Sequence, residues 1–432
     1  MIYTMKKIQE FEKNSLILFV LMMSSNVCNY VFQITVGNMM AVKDYGVVNT
    51  VLAIVGILSI PTTIITMISA RYIALSASKG NEDEISSVLQ LLFRFIILVG
   101  VILLFFGFIG IRRITQIFNL DSAGYVAGAL VIAIVNLIFS VTSGTLQGLK
   151  KFFPYGVQTV LTAGGKLVFS ILLILLGWRV YGVIAAMLCG IILAIVYGLH
   201  HMKSYIRHTF QYQGGSIIDV EEFIRYAIGT IVVQSCVIAL TNGDVLLVKA
   251  FFSDQDAGIY SSAMVIGKIA MYVSTAVIAT LFPLVVERNQ KGESTAPILK
   301  KALFYGGGMA LACAVGMITL GKYVIGILFG ERYAAAIVYL PYVCLFVVPL
   351  TFISILTNYM LAVGKTKVVG ISIGVGLIVI IGACGVFHDT IPHIMMICGT
   401  VLSIVFWGNL LYLWYLNQKD RSEMYLENGD ED

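Results

Sequence analysis

Charged residues are scarce in this chain of 432 residues: Asp, Glu, Lys and Arg make up 12% of it, against 59% hydrophobic residues. Soluble domains carry about twice that share of charge. The hydrophobic residues are grouped in blocks of about 20 to 25, the length that an α-helix needs to cross a bilayer. The composition therefore excludes an ordinary soluble domain and predicts an all-α polytopic membrane protein.

Several motifs of catalysis and metal binding are also missing. The chain has no G-x-x-x-x-G-K-[ST] loop, which excludes an ATP-driven motor of the usual kind within it. Its seven cysteines are dispersed, with no C-x-x-C pair, so the sequence indicates neither a zinc site nor a disulfide framework. We expect no catalytic residue, metal, cofactor or nucleic-acid partner. A membrane polymerase or ligase stays the least favoured alternative, with Asp254, Asp256 and Glu331 as its available acids.

Two short motifs recur about half a chain apart. Asp44-Tyr45-Gly46 and Asp256-Ala257-Gly258, the two Asp-x-Gly motifs of the sequence, lie 212 positions apart. Leu146-Gln147-Gly148-Leu149-Lys150 is repeated 215 positions later as Leu361-Ala362-Val363-Gly364-Lys365. Internal duplication of a helical bundle is typical of transporters. The repeat predicts two pseudo-symmetric six-helix bundles around a central cavity.

About twelve membrane helices are expected on this basis. The first bundle, 1–200, would hold helices at 14–38, 45–70, 88–109, 122–146, 155–177 and 180–200. A cytoplasmic linker at 201–221 would lead to the second bundle, 222–416, with helices at 222–250, 257–286, 300–320, 333–361, 367–387 and 391–416. Residues 417–432 would form a tail.

The positions of Lys and Arg predict the orientation. With the N-terminus in the cytoplasm, nineteen of the 28 lysines and arginines fall near the cytoplasmic face and seven near the outer face. Because cytoplasmic loops are enriched in Lys and Arg, both termini are expected in the cytoplasm.

Polar side chains form stripes on several predicted helices. Asn26, Asn29 and Gln33 have i, i+3, i+7 spacing and so share one helix face. A shift of 212 places Asn29 on Thr241 of the seventh helix, which also carries Gln234, and the tenth helix carries Asn358. Such residues either hydrogen-bond helices together or line a hydrated cavity. Their correspondence between the two halves favours the cavity.

Ionisable residues within the hydrophobic segments sharpen this hypothesis. Lys166 and Lys268 lie well inside predicted helices, where a charge costs roughly 2.5–3.5 kcal/mol. Together with Arg71 near the cytoplasmic mouth, they favour an anionic cargo such as a pyrophosphate. Asp244 is a candidate for ion coupling or a gate. Polar stripes suit a sugar, so the combination predicts a lipid-linked oligosaccharide as substrate.

Longer runs resemble polysaccharide-biosynthesis flippases, the Wzx-type members of the multidrug/oligosaccharidyl-lipid/polysaccharide exporter superfamily. The similar segments are Asn242-Gly243-Asp244-Val245-Leu246-Leu247-Val248-Lys249, Asp256-Ala257-Gly258-Ile259-Tyr260-Ser261-Ser262-Ala263, Leu281-Phe282-Pro283, Gly177-Trp178-Arg179-Val180-Tyr181-Gly182-Val183-Ile184-Ala185-Ala186 and Leu361-Ala362-Val363-Gly364-Lys365-Thr366-Lys367. The resemblance extends over essentially the whole chain.

The resemblance implies two bundles arranged as a V, with a cavity framed by the first, second, seventh and eighth helices. It implies movement of undecaprenyl-pyrophosphate-linked repeat units across the bacterial cytoplasmic membrane, in a pathway with glycosyltransferases and a polymerase as possible partners. Cationic cavity residues of the family are associated with the pyrophosphate, which fits Lys268 and Lys166.

Two related functions stay open as alternatives. Flippases of the lipid-linked peptidoglycan precursor are often rich in arginine along the first two helices, whereas this chain has no Arg or Lys between Asn14 and Ala41. Multidrug/cation antiporters of the sister branch need acidic or aromatic cavity walls, whereas the candidate residues here are mainly basic.

Overall fold

The structure of the chain, a computed structural model, describes residues 2–212, 214, 220–290, 293–363 and 366–427. Throughout these residues the regular elements are helical, which confirms the all-α prediction. The chain forms two compact units. Unit 1 comprises Met1–Ile238 and Phe252–Ser261, and unit 2 comprises Ala239–Phe251 and Ser262–Asp432.

Unit 1 contains eight complete helices and parts of two more. The complete ones are α1 Ile2–Met39, α2 Val42–Leu58, α3 Ile60–Ser78, α4 Glu82–Ile117, α5 Ala123–Gly148, α6 Phe152–Leu175, α7 Arg179–His201 and α8 Lys203–Gln211. The next two helices, α9 Val220–Phe251 and α10 Asp254–Gln290, each contribute residues to both units.

Unit 2 continues with helices that include two irregular turns. They are α11 Ala296–Ala302, a π-helical segment Leu303–Gly307, α12 Gly308–Leu328, a 3-10 segment Glu331–Tyr339, α13 Leu340–Ala362, α14 Thr366–Val386 and α15 Ile391–Glu427. The carbonyl of Gly306, within the π-helical segment, accepts a hydrogen bond of 2.8 Å from Ser274 Oγ on α10.

Within the described residues, ten helices are long and apolar enough to cross a membrane. The expected seventh and eighth membrane helices correspond to α9 and α10, which are not among these ten. A polytopic membrane fold is therefore confirmed, and the count of twelve stays a prediction.

The structure differs from several of the expected boundaries. The expected helix 45–70 is broken at Ser59, because Pro61 in the first turn of α3 has no N–H to continue the hydrogen-bond ladder of α2. The expected tenth helix begins as a 3-10 segment before α13. Part of the expected linker 201–221 is helical, since α8 packs on α4 and Gln90 Nε2 donates to the carbonyl of Tyr212 at 2.8 Å.

Helix α4 shows how local sequence sets a helix start. Asn81 caps it by accepting hydrogen bonds from the backbone N–H groups of Asp83 and Glu84, at 3.1 and 3.2 Å. Acidic residues fill its first turn, where they interact favourably with the helix dipole. Further along, Leu89 and Leu92 are fully buried, whereas Phe108 is 81% exposed. An apolar surface of this kind suits contact with lipid.

The two Asp-x-Gly motifs, which sequence comparison places 212 positions apart, contact each other within unit 1. A Cβ atom at Gly46 would collide with the carbonyl oxygen of Asp254, and one at Gly258 would collide with the carbonyl oxygen of Val42. Each glycine thus faces the residue four positions before the other. The first turns of α2 and α10 approach so closely because both positions lack a side chain.

Candidate anion-binding site

In unit 1, the candidate site is centred on Lys166 of α6. Its Nζ donates a 2.7 Å hydrogen bond to Oδ1 of Asn29 on α1 and lies 4.2 Å from the ring centroid of Phe32. Asn29 and Phe32 are three residues apart on α1 and so face the same side of that helix. The amide oxygen and the aromatic face both stabilise the ammonium.

In unit 2, Lys268 of α10 takes a comparable position against α9. Its Nζ donates a 3.0 Å hydrogen bond to the backbone carbonyl of Thr241, and its side chain is partly buried. The acceptor here is a main-chain oxygen, so its position is set by the helix rather than by a rotamer.

The two acceptors occupy equivalent positions of the repeat. Asn29 and Thr241 are 212 residues apart, the offset that also relates the Asp-x-Gly motifs. The two donors are not equivalent. The same offset from Lys268 leads back to Gly56 on α2, whereas Lys166 belongs to α6. Different helices therefore bring an ammonium group to the same repeat position in each unit.

Among the described residues, neither lysine has a carboxylate partner. Over the part of the chain that the structure describes, no Asp or Glu oxygen lies within ion-pair distance of Lys166 or Lys268. A cation held inside a membrane bundle is normally paired, or it faces a polar pathway. Two cations without a protein carboxylate are a receptive arrangement for an anion.

The other residues predicted on α1 are arranged unequally. Gln33 Oε1 accepts a 3.2 Å hydrogen bond from the hydroxyl of Tyr45 on α2, so it links α1 to the Asp-x-Gly segment. Asn26, one turn before Asn29, is exposed. Of the predicted α1 stripe, Asn29 is the residue that contacts a lysine.

The remaining predicted residues make other contacts. Arg71 is exposed near the end of α3, and the amide nitrogen of Gln234 lies 3.9 Å from Met67 Sδ. In unit 2, Asn358 Nδ2 donates to the carbonyl of Ser354 in its own helix, at 2.8 Å. Their assignment to substrate binding stays a prediction.

Buried charge in α9 extends beyond what the sequence indicated. Asp244, the predicted ion-coupling or gate residue, is 2% exposed, and Lys249 is 1% exposed. Lys249 is one of the seven basic residues that the orientation prediction assigns to the outer face, and it lies close to a predicted helix end. A signal for its burial was the unbroken hydrophobic run that surrounds it.

Some polar residues within the helices bind neighbouring helices instead of facing a pathway. Gln158 on α6 is fully buried, and its Nε2 donates a 2.6 Å hydrogen bond to Thr142 Oγ1 on α5. In unit 2, Asn409 Nδ2 donates to Ser372 Oγ at 2.8 Å, joining α15 to α14. For these residues the interhelical hydrogen-bonding alternative describes the structure.

Comparisons with known proteins agree with this architecture. The profile of a family described as "Polysaccharide biosynthesis protein" matches residues 11–288. No curated protein matches the chain significantly in sequence.

Solved structures with the same fold include two kinds of transporter. One is described as the inward-facing conformation of a multidrug resistance MATE family transporter of the MOP superfamily. It has a TM-score of 0.75 and 14% identity, covering 90% of this chain and 93% of that one. Another, an outward-facing conformation of such a transporter, has a TM-score of 0.61 and 15% identity, covering 92% and 93%. The lipid II flippase MurJ, in an inward closed conformation, has a TM-score of 0.67 and 14% identity, covering 92% and 87%.

Proposed function

Since the chain belongs to the polysaccharide biosynthesis protein family, we propose that it is a flippase for an undecaprenyl-pyrophosphate-linked oligosaccharide repeat unit. It would move this lipid from the inner to the outer leaflet of a bacterial cytoplasmic membrane. The observation that supports the proposal best is the pair of ammonium groups, Lys166 and Lys268. They contact equivalent repeat positions and have no carboxylate partner in the part of the chain that the structure describes.

The charge of the substrate follows from the energetics of these lysines. Keeping a charged side chain at the centre of a membrane helix costs roughly 2.5–3.5 kcal/mol. Hydrogen bonds to an amide or a backbone carbonyl offset part of that cost but leave the positive charge in place. A pyrophosphate supplies two phosphate groups and several strong acceptor oxygens, so it suits an ammonium group of either kind.

The proposed transport cycle uses the contacts already described. On binding substrate, Lys166 would exchange Asn29 for a phosphate oxygen, and Lys268 would exchange the carbonyl of Thr241. Alternating access would then expose the headgroup on the other side of the membrane, while the lipid tail stays in the bilayer. The released Asn29 amide could then hydrogen-bond to a sugar hydroxyl.

Binding measurements on the purified full chain in nanodiscs test the anion assignment directly. We expect Lys166→Met and Lys268→Met each to weaken binding of undecaprenyl pyrophosphate about 10-fold or more, as expected for loss of a charged hydrogen bond. Binding of neutral undecaprenol should not change. Lys203→Met removes an exposed lysine on α8 and is the matched control.

Transport in proteoliposomes tests the movement itself. The unsubstituted protein is expected to make a lipid-linked oligosaccharide accessible to an enzyme outside the vesicle, and both lysine variants should slow this transfer. Undiminished binding and transport in both variants would contradict the role assigned to the lysines.

A further inference from the structure

A second recessed site lies at the end of unit 1, away from Lys166. The first turns of α2 and α5 and the turn between α6 and α7 line an open pocket of about 560 Å³. That volume falls within the range of small-molecule sites, about 300–1,000 Å³. In the predicted orientation, its residues Lys43 and Arg179 belong to the outer face of the membrane.

Ion pairs and hydrogen bonds hold the pocket walls together. Arg179 Nη2 lies 2.7 Å from Asp44 Oδ2, and its Nε donates to the same oxygen at 3.0 Å. Lys43 Nζ lies 3.1 Å from Asp121 Oδ2. Every pair joins residues from different segments of the chain. The α6–α7 turn is thereby fixed to α2, and α2 is fixed to the start of α5.

Aromatic side chains form another part of the wall. Trp178 is 56% exposed, and Tyr181 is 46% exposed. The ring centroids of Tyr125 and Tyr181 are 4.8 Å apart. The hydroxyl oxygen of Tyr181 lies 2.7 Å from Ser122 Oγ. The pocket therefore combines accessible ring faces with fixed hydrogen-bonding groups.

The backbone around Trp178 is held in an uncommon conformation. Gly177 has φ of +84°, and Arg179 has φ of +46°. A left-handed conformation costs a non-glycine residue roughly 1–2 kcal/mol. The bidentate contact of Arg179 with Asp44 stabilises this turn, so Trp178 is presented from a constrained segment rather than from a loose loop.

The chemistry of the lining defines a ligand class. The charged lining residues are Lys43 and Arg179, which are positive, and Asp44 and Asp121, which are negative. A further acid, Asp254, lies 3.6 Å from Lys43 Nζ, so both cations are fully paired. Carboxylates and guanidinium groups hydrogen-bond hydroxyl groups, and aromatic faces pack against apolar C–H surfaces. A pyranose ring carries both kinds of surface. A pyrophosphate gains little from a lining in which each cation already has an acid partner.

We propose that this pocket is a carbohydrate site that binds neutral pyranose rings at the outer face of unit 1. A role in binding the oligosaccharide part of the substrate during transport rests on the proposed flippase function. Binding of free sugars to the pocket does not require the lipid. The site is distinct from Lys166 and Lys268, which would hold the charged headgroup.

Trp178 provides an optical test in the full-length protein. The chain has three tryptophans, and Trp407 and Trp414 are each about 60% exposed, so Trp407→Phe and Trp414→Phe leave Trp178 as the sole reporter. The probes are maltose, lactose and N,N′-diacetylchitobiose, with glycerol as the control for unspecific polyol effects. We expect a saturable fluorescence change with at least one disaccharide and a shallow linear change with glycerol.

Variants of the wall test whether the change arises in this pocket. Tyr181→Phe and Asp121→Asn are small substitutions, and Asp121 has an exposed side chain, so both should leave the fold intact. Each is expected to raise the half-saturating sugar concentration several-fold. Lys203→Met, on α8, should have no effect.

Three results would overturn the proposal. The first is a fluorescence change that is as shallow and linear with every sugar as with glycerol. The second is a half-saturating sugar concentration that is the same in the wall variants as in the parent protein. The third is strong quenching of Trp178 fluorescence by brominated lipid chains. The last would identify Trp178 as an ordinary interfacial aromatic facing lipid. None of them would affect undecaprenyl pyrophosphate binding by the lysines, so this proposal and the flippase proposal can fail separately.

Discussion

Gly46 and Gly258 pack against each other's helices in a reciprocal contact. Each glycine Cα lies against the carbonyl oxygen four residues before the other glycine, that of Asp254 for Gly46 and that of Val42 for Gly258. The motif repeat visible in the sequence thus has a structural cause. The last residue of each motif is a glycine, without a side chain, because the two motifs meet at one interface.

Enlarging either glycine is expected to destabilise the protein. Gly46→Val or Gly258→Val would force backbone atoms apart and should cost about 1–3 kcal/mol, as overpacking typically does. The drop in melting temperature of the purified protein measures this effect. Gly164→Ala is the matched control, because no atom lies within 4 Å of a Cβ there and alanine favours the helix.

The two glycine substitutions should also be non-additive. The first would already have separated the two helices, so the second should cost less than it does alone. Full additivity in the double variant would show that the two glycines do not share one contact.

Stability and substrate binding should respond in opposite ways around Lys166. Lys166→Met removes an ammonium from the bundle and should leave the melting temperature equal or higher, since hydrophobic replacement of a buried charge is often stabilising. Asn29→Leu removes the hydrogen-bond acceptor but keeps the charge of Lys166, and should lower the melting temperature by several degrees. If Lys166→Met were the more damaging of the two, the lysine would be structural rather than receptive.

The Gln158–Thr142 contact offers a test of interhelical hydrogen bonding. Thr142→Val leaves the amide N–H of Gln158 buried without its acceptor, and about 1 kcal/mol of stability should be lost. Gln158→Met removes both polar ends of the amide and should cost less. Thermal unfolding in one detergent compares the two variants, and equal costs would argue against an important hydrogen bond.

Drug-resistance assays distinguish the flippase from a cation antiporter. Two ammonium groups repel organic cations, so expression of the chain in a bacterium without its own efflux pumps should leave sensitivity to cationic dyes unchanged. A known drug antiporter is the positive control. Resistance that appears with the unsubstituted protein and disappears with Asp244→Asn would instead favour the antiporter.

The fold class was predictable because the hydropathy profile follows directly from the order of the residues and needs no tertiary contact. The position of Pro61 also contained the information for the break at Ser59. In contrast, the π-helical segment Leu303–Gly307 and the 3-10 segment Glu331–Tyr339 have no clear local signal. They depend on how neighbouring helices pack, as the hydrogen bond from Ser274 to Gly306 illustrates.

The candidate site was predictable in part. A lysine inside a hydrophobic run is conspicuous, so Lys166 and Lys268 could be selected from the sequence. Their acceptors could not, because the contact with Asn29 requires α6 to pack on α1, and the acceptor of Lys268 is a backbone atom. The burial of Lys249 also escaped prediction, since position near a helix end normally indicates an exposed side chain.

The two lysines lie on helices that do not correspond to each other in the repeat, and this bears on how the chain evolved. If the halves descend from one ancestral bundle, identical copies would have carried both lysines or neither. Today the counterpart of Lys268 is Gly56, and the counterpart of Lys166, 215 positions later, is Ile381. The two copies have therefore diverged since the duplication, whether by gain or by loss, and each now brings a different lysine to the same repeat position.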